Sequence, residues 1–364
     1  QKLILISQKS GRLNNTHRYP LLCGTDTSGG VSNKILKKLV EAGKKKNKPY
    51  GDDDFTELAK IEFKNIFKNK NLEIIPMISG TASNAFALSL MTKKNDYVIC
   101  HKEAHIFTSE CGAPEFFNSG IKLITISSNN GKLDPTLIND CLEDNIDKNI
   151  VGISVSQLSE NGTSYSIESL KKIGDICKKN NLFFHMDGAR FSNALCNLKV
   201  KPSEMTWKIG LDCLTIGATK NGAFAAEAII FFSKKKLCNY KFFQKRSGHV
   251  IAKTKFISSQ FIAWFEDDLW LKLARKSNNI TKLFKNYLVQ NKNFEILFPI
   301  DGNEVFVRVH ELYYQEIMNK NVFPKLWSTS KNKLVVLRFV FSFDFTKKDL
   351  KNLISRINNI KINY

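Results

Sequence analysis

The sequence predicts an α/β fold with a mostly parallel central sheet in a large domain, followed by a smaller C-terminal α+β domain. Up to about residue 250, short apolar runs alternate with helical periodicity, which is typical of a parallel sheet. Beyond that point, one long helical stretch precedes short strands and helices. We therefore predict an N-terminal extension over 1–20, a large domain over 21–265 and a small domain over 266–364.

Each element of the predicted sheet is a short apolar run that ends at a polar or glycine-containing turn. The predicted strands of the large domain are 72–77, 96–100, 121–126, 150–155, 182–186, 213–216 and 228–232, with helices at 82–91, 134–142 and 167–179. Across the boundary between the two domains we predict a long helix over 256–288. In the small domain we predict strands at 304–309 and 334–341, and helices at 312–319 and 347–358.

Composition and charge exclude several classes of protein. Hydrophobic residues make up 43% and charged residues 24%, as in an ordinary globular chain, and no apolar run reaches the ~18–20 residues of a membrane span. The net charge of +21 comes from lysines scattered over helix-like segments, which favours a solvated basic surface over a nucleic-acid or membrane partner. Such a surface would favour anionic substrates.

The eight cysteines include no C-x-x-C pair, and a chain of 364 residues does not need disulfides to fold. We therefore predict reduced thiols and a cytoplasmic location.

The first of four chemically suggestive motifs is Ser-Gly-Thr-Ala-Ser-Asn at 79–84, which follows a strand and opens a helix. Gly80 permits a tight turn, and the backbone N–H groups and the Thr81 hydroxyl at a helix N-terminus can bind an anion. The alternative is an ordinary helix cap.

The second motif carries His101 and His105 after a strand. Their spacing suggests zinc, but the glutamate is not directly after the first histidine as H-E-x-x-H requires, and no third ligand is evident nearby. His105 could instead lie flat against a planar cofactor. The alternative is a hydrogen-bonded structural histidine.

The third motif is His-Met-Asp-Gly-Ala-Arg at 185–190, where an apolar strand ends in Asp187. A carboxylate there needs a cationic or hydrogen-bonding partner. That partner is either Arg190, in an internal salt bridge, or a protonated heteroaromatic nitrogen.

The fourth motif is Gly-Ala-Thr-Lys-Asn-Gly-Ala at 217–223, where small residues surround Lys220 at a strand end. The small residues would let a bulky ring approach, and a lysine in such a site can act as an amine nucleophile.

In this order the four motifs supply an anion cradle, a stacking histidine, a partner for a pyridinium nitrogen and a Schiff-base lysine. That set is what pyridoxal 5'-phosphate (PLP) requires.

From about residue 22 to about residue 346, the sequence resembles the low-specificity L-threonine aldolases, which belong to the aromatic amino acid beta-eliminating lyase/threonine aldolase group of fold type I PLP enzymes. The motifs at 185–190 and 217–223 are the most specific, and those at 25–29, 50–53, 110–115 and 337–340 also match.

The resemblance implies roles for individual residues. Lys220 would attach PLP, Asp187 would pair with its pyridinium nitrogen and His105 would stack on its ring. Gly80 and Thr81 would hold the phosphate, Arg190 would lie near the ring hydroxyl or a carboxylate, Arg338 and Thr25 would bind substrate, and Lys245 would contact cofactor.

Two positions depart from the family. Thr25 stands where the family has serine, and the loop at 156–163 lacks the histidine that some members carry. The group that transfers the hydroxyl proton therefore stays open, with His105 as the first choice.

The implied reaction is reversible cleavage of L-threonine, L-allo-threonine and related β-hydroxy-α-amino acids to glycine and an aldehyde, in a homo-oligomer whose active sites lie at the interface. Tyr50-Gly51-Asp52 and Lys245-Arg246 would reach a neighbour's cofactor. One alternative is a PLP-dependent β-eliminating lyase or another PLP enzyme acting on an amino acid. A basic RNA- or membrane-binding protein on a degenerate scaffold is disfavoured by the intact Lys220 and Asp187.

Overall fold

The structure is a computed structural model that describes residues 19–117, 120–233, 240–329 and 332–361. The described strands are β1 (Leu21–Leu22), β2 (Glu73–Met77), β3 (Tyr97–His101), β4 (Lys122–Ile126), β5 (Ile150–Ser156), β6 (Phe183–Gly188), β7 (Cys213–Gly217), β8 (Glu227–Phe231), β9 (Glu295–Ile296), β10 (Glu304–His310), β11 (Val322–Phe323), β12 (Lys325–Thr329) and β13 (Leu334–Val340).

The described α-helices are α1 (Asn33–Lys44), α2 (Asp54–Phe67), α3 (Gly80–Met91), α4 (His105–Thr108), α5 (Ala113–Phe117), α6 (Pro135–Asp144), α7 (Ile167–Lys179), α8 (Phe191–Leu198), α9 (Tyr240–Arg246), α10 (Lys255–Phe265), α11 (Leu269–Gln290), α12 (Glu311–Asn319) and α13 (Lys347–Asn358). None of these helices is both long and apolar enough to cross a membrane.

A seven-stranded sheet organises the first part of the chain, in the order β2-β8-β7-β6-β5-β3-β4. Neighbouring strands run parallel from β7 to β4, and β8 is antiparallel to both of its neighbours. Every residue of β6 is buried, as expected for a parallel strand covered on both faces. The carboxyl ends of β2, β3, β5, β6 and β7 meet at one edge, and all four motifs follow strands at that edge.

A second, antiparallel sheet has the order β12-β13-β10-β9 and packs against α11, α12 and α13. Its core includes Val307, Leu337, Phe284 and Leu353. β1 pairs in parallel with β11, and Leu21 belongs to this second core although it stands at the start of the predicted large domain. The domain boundaries stay a prediction, and most of the predicted extension over 1–20 lies outside the described residues.

The predicted helices at 167–179 and 347–358 are confirmed at both ends. The predicted continuous helix over 256–288 is wrong, because a 3-10 turn at Glu266–Asp268 separates α10 from α11. Asp267 and Asp268 adopt left-handed φ angles of 52° and 54°, which a continuing helix does not allow. The sequence conceals this break because buried Phe265 and Trp270 continue the apolar spacing across it.

The seven described cysteines are all free thiols, as predicted. Cys238 lies outside the described residues.

Candidate active site

A cavity opens at the carboxyl edge of the large sheet. Six of the predicted site residues line it together with residues that the sequence did not single out. Its lining comprises Gly80, Thr81, Asn84, His105, Glu110, Ser156, Leu158, Glu160, Asp187, Ala189, Arg190 and Lys220.

The start of α3 forms one wall of this cavity. Ser79 caps the helix, its hydroxyl accepting a hydrogen bond from the backbone N–H of Ala82 at 3.3 Å. A β-carbon at Gly80 would meet no heavy atom within 4 Å, so the space beside the first turn is open. The free N–H groups of a 12-residue helix face this space and can hold a phosphate.

Asn84, one turn further along α3, connects the other predicted residues. Its amide nitrogen donates to Oδ2 of Asp187 at 2.8 Å and to Oε1 of Glu110 at 2.9 Å. Its amide oxygen accepts from the hydroxyl of Thr215 at 2.6 Å. Sequence reasoning included Asn84 in a motif but gave it no role, since its three partners lie on distant segments.

Asp187 is buried at the end of β6, and the backbone N–H of Ala189 donates to its other oxygen at 3.0 Å. The alternative of an internal salt bridge between Asp187 and Arg190 is wrong, because the guanidinium of Arg190 forms its hydrogen bonds with Asp26. Asp187 therefore has neutral hydrogen-bond donors and faces the cavity, where a cationic ring nitrogen could approach it.

His105 begins the short helix α4 after β3, and its Nδ1 lies 2.9 Å from Oε1 of Glu110. This hydrogen bond raises the pKa of His105 above its usual value, against the opposing effect of burial. Burial in turn raises the pKa of Glu110. The other histidine of the motif, His101, accepts a hydrogen bond from the backbone N–H of Glu103 at 3.1 Å, and the described residues contain no cluster suited to a metal ion.

Lys220 lies in a 3-10 turn, Thr219–Asn221, between β7 and β8. One of the small residues before it, Gly217, lies against a carboxylate. A β-carbon at Gly217 would overlap Glu227, so glycine there makes room for that side chain, and the predicted approach of a ring stays a prediction. Thr219 donates to that carboxylate at 2.5 Å, and burial raises the pKa of Glu227 to about 7.

The loop after β5, which lacks histidine, places Glu160 in the cavity lining. Burial raises the pKa of Glu160, and the nearby charge of Asp187 raises it further. Sequence reasoning missed this residue because it searched the loop only for a histidine.

A cluster of four charged side chains lies beside the cavity, and we call it the arginine–carboxylate cluster: Asp26, Arg190, Glu304 and Arg338. Arg190 forms a bidentate pair with Asp26, at 2.8 Å from Nε and 3.1 Å from Nη2. Arg338 donates to the backbone oxygen of Gly24 at 3.0 Å and stacks over Trp327 at 4.9 Å. Arg338 is not among the residues that line the cavity.

Two further predicted residues do not line this cavity. Thr25 caps the short 3-10 helix that holds Asp26. Lys245 lines a different cavity together with Tyr50, Gly51 and Asp52, and its ammonium lies 4.3 Å from the centre of the Tyr50 ring. The roles of all site residues remain predictions.

Comparison with known proteins agrees with this geometry. A family model described as beta-eliminating lyase matches residues 24–312. The chain belongs to the beta-eliminating lyase family. The low specificity L-threonine aldolase of a Pseudomonas species is 35% identical over 299 residues, which are 81% of this chain and 86% of that protein. The enzyme of that name from Pseudomonas aeruginosa is 34% identical over 290 residues, 79% of this chain and 84% of its own length.

A solved structure of Leishmania major threonine aldolase superposes with a TM-score of 0.88 at 25% identity, covering 93% of this chain and 99% of that one. These likenesses confirm the predicted family, the fold type I architecture, the lyase class and PLP as cofactor.

The cavity also fits PLP on its own geometry. An open helix start suits the phosphate, a carboxylate with only neutral donors suits the ring nitrogen, and Lys220 supplies an amine in the lining of the same cavity.

Proposed function

We propose that this protein is a PLP-dependent carbon–carbon lyase that reversibly cleaves L-threonine, L-allo-threonine and related β-hydroxy-α-amino acids to glycine and an aldehyde. The observation that carries this proposal is the convergence of Lys220, Asp187 and His105 on one cavity at the carboxyl edge of a parallel sheet. The names of the two Pseudomonas relatives agree with it.

Two side chains and a helix end would hold the cofactor. The amine of Lys220 would attach it, the start of α3 at Gly80 and Thr81 would bind its phosphate, and Asp187 would keep its ring nitrogen protonated. When bound, the cofactor supplies an electron sink for the pair released as the Cα–Cβ bond breaks. The network through Asn84 keeps Asp187 aimed at the ring nitrogen.

The hydroxyl proton of the substrate needs an acceptor as that bond breaks, and a proton must return to Cα to give glycine. His105 is our first choice for the acceptor, because it lies beside Lys220 and Asp187 in the cavity lining and is only partly buried. Glu110, the partner of its Nδ1, would orient the ring and stabilise its protonated form. Glu160 faces the same cavity and is the second choice.

The substrate carboxylate would bind Arg338, with Arg190 beside it. A planar guanidinium can grip a carboxylate with two parallel hydrogen bonds, which fixes the bond that lies perpendicular to the cofactor ring. In support, both arginines are buried among carboxylates at one side of the cavity.

The homo-oligomer with an active site at its interface also belongs to this proposal. The cavity that Lys245 lines with Tyr50 also contains Lys60 and Lys241, although the chain's own candidate cofactor site lies elsewhere. Exposed apolar side chains adjoin it along the chain, including Tyr50, Phe242 and Phe243. Apolar exposure of this kind marks protein–protein contact surfaces.

Incubating the PLP-loaded protein with a panel of β-hydroxy-α-amino acids tests the function. We expect equal amounts of glycine and aldehyde, for example acetaldehyde from L-threonine. Release of ammonia and a 2-oxo acid without glycine would show β-elimination instead and would refute the aldolase proposal.

A further inference from the structure

The carboxylate of Glu304 contacts both arginines of the arginine–carboxylate cluster. Its Oε1 is 3.3 Å from Nη2 of Arg190 and 3.5 Å from Nη1 of Arg338. Glu304 is 1% exposed, so this charge is held inside the protein.

The antiparallel pairing of β10 with β13 produces this placement. Glu304 is opposite Val340 and Phe306 is opposite Arg338, so Glu304 and Arg338 are diagonal neighbours on one face of the sheet. The loop that carries Glu160 covers this position, since a β-carbon at Gly162 would lie 3.1 Å from the β-carbon of Glu304. The loop that lines the cavity therefore covers the small sheet at Glu304.

The contacts of Glu304 are incomplete. Neither of its oxygens accepts a hydrogen bond within the described part of the chain, and Nε of Arg338 donates none there. Asp26, by contrast, receives two hydrogen bonds from Arg190 and one from Asn303 at 3.1 Å. Buried charged atoms without hydrogen bonds are unfavourable, and a ligand that satisfied Arg338 would relieve that state.

We infer that Glu304 is an internal competitor for the substrate: it occupies Arg338 and Arg190 in the absence of amino acid, and the substrate carboxylate must displace it to bind. The inference rests on the proposed role of Arg338 in carboxylate binding. Because Glu304 and Asp26 together offset the charges of the two arginines, an incoming carboxylate meets a neutral cluster and not a doubly positive one.

This arrangement weakens the binding of every ligand that depends on its carboxylate. Acetate offers no other polar group, and glycine, the proposed product, lacks the β-hydroxyl, so both would bind poorly and leave readily. A β-hydroxy-α-amino acid gains a further contact through its hydroxyl, which offsets the displacement of Glu304. Glu304 is thus a residue that sets affinity and selectivity and is not itself a proton carrier in the reaction.

The test compares Glu304→Gln with Asp26→Asn in the PLP-loaded protein, using calorimetric titration with glycine and with acetate. Each variant removes one negative charge from the cluster, but only Glu304→Gln frees Arg338. We expect Glu304→Gln to tighten glycine and acetate binding by about tenfold or more, the scale of one charge-assisted hydrogen bond, and to lower KM for L-threonine. Asp26→Asn should not tighten binding and should lower the melting temperature, because Arg190 loses its partner.

Two results would overturn the inference. Unchanged or weaker glycine binding in Glu304→Gln, with a lower melting temperature, would show that Glu304 only supports Arg338. Equal tightening in both variants would show an effect of net charge alone. Glu304→Ala serves where the glutamine variant does not fold, with the same expected direction.

Arg338→Lys separates this inference from the proposed function. If Arg338→Lys weakens glycine binding while Glu304→Gln leaves it unchanged, the carboxylate site is correct and the competitor role of Glu304 is wrong. If no β-hydroxy-α-amino acid is cleaved by the wild type, the aldolase proposal fails, and the titrations with acetate still decide the role of Glu304.

Discussion

Two buried polar clusters flank the candidate active site, and they differ in how fully their hydrogen bonds are made. Around Asn84, the network is saturated at the amide and at both oxygens of Asp187: the amide donates to Asp187 and Glu110 and accepts from Thr215, and Oε2 of Glu110 alone has no partner among the described residues. In the arginine–carboxylate cluster, both oxygens of Glu304 and Nε of Arg338 have no hydrogen-bond partner among the described residues.

The difference indicates what each cluster does. A saturated network fixes its members in one orientation, which suits groups that must aim at a cofactor ring in every turnover. A cluster whose hydrogen bonds are incomplete can exchange its internal carboxylate for that of a ligand with little loss of free energy. We therefore expect substitutions around Asn84 to change catalysis and stability together, and substitutions around Glu304 to change ligand affinity.

Asp187→Asn should have the largest effect, since it removes the charge at the centre of the saturated network. An amide keeps the shape of the side chain but stabilises a pyridinium poorly, so kcat should fall by roughly 10²–10³-fold while some PLP is retained. Steady-state kinetics with L-threonine measure the loss, and cofactor absorbance measures retention. A near wild-type kcat would mean that Asp187 serves only the packing of β6.

Arg338→Lys probes the other cluster. Lysine is a point charge without the planar fork, so KM for the amino acid should rise by about tenfold or more. PLP occupancy and melting temperature should change little, because Arg338 does not line the cofactor cavity. A fall in PLP binding and melting temperature at constant KM would make Arg338 a structural residue and contradict the substrate-binding role.

Asn84→Ala tests whether the hydrogen bonds of the Asn84 amide stabilise the fold. Removal of the amide takes one donor from each of two buried carboxylates, so the free energy of unfolding should fall by about 1–3 kcal/mol. Urea unfolding of the PLP-free protein gives the value. The same measurement on Glu304→Gln should show a smaller change, and equal losses in the two variants would remove the distinction between the clusters.

Glu110→Gln should have the smallest effect, a shift in pH dependence. The hydrogen bond from Glu110 raises the pKa of His105, so its loss lowers that pKa. A histidine that accepts a proton works in its neutral form, and the acid limb of kcat/KM should therefore move to lower pH. Glu168→Gln, which removes an exposed surface pair with Lys172, is the control and should leave the profile in place. An unmoved acid limb in Glu110→Gln would exclude His105 as the titrating group.

The sequence was sufficient to predict Lys220, Asp187 and the start of α3, because each follows an apolar strand at a recognisable turn. It did not predict Asn84 or Glu304, whose importance depends on partners 26 to 131 residues away along the chain. The break between α10 and α11 was also concealed, since apolar spacing alone does not report the left-handed backbone at Asp267. Local patterns therefore identify the residues at strand ends, and tertiary packing decides which polar side chains join them.

The central claim is that Lys220 attaches the cofactor in the cavity that holds Asp187 and His105. Borohydride reduction of the PLP-loaded protein, followed by proteolysis and mass spectrometry, tests it most directly. We predict a pyridoxyl group on the peptide that contains Lys220, its absence in Lys220→Ala, and normal labelling when exposed Lys171 is changed to alanine. A stoichiometric pyridoxyl group on any other lysine would contradict the account.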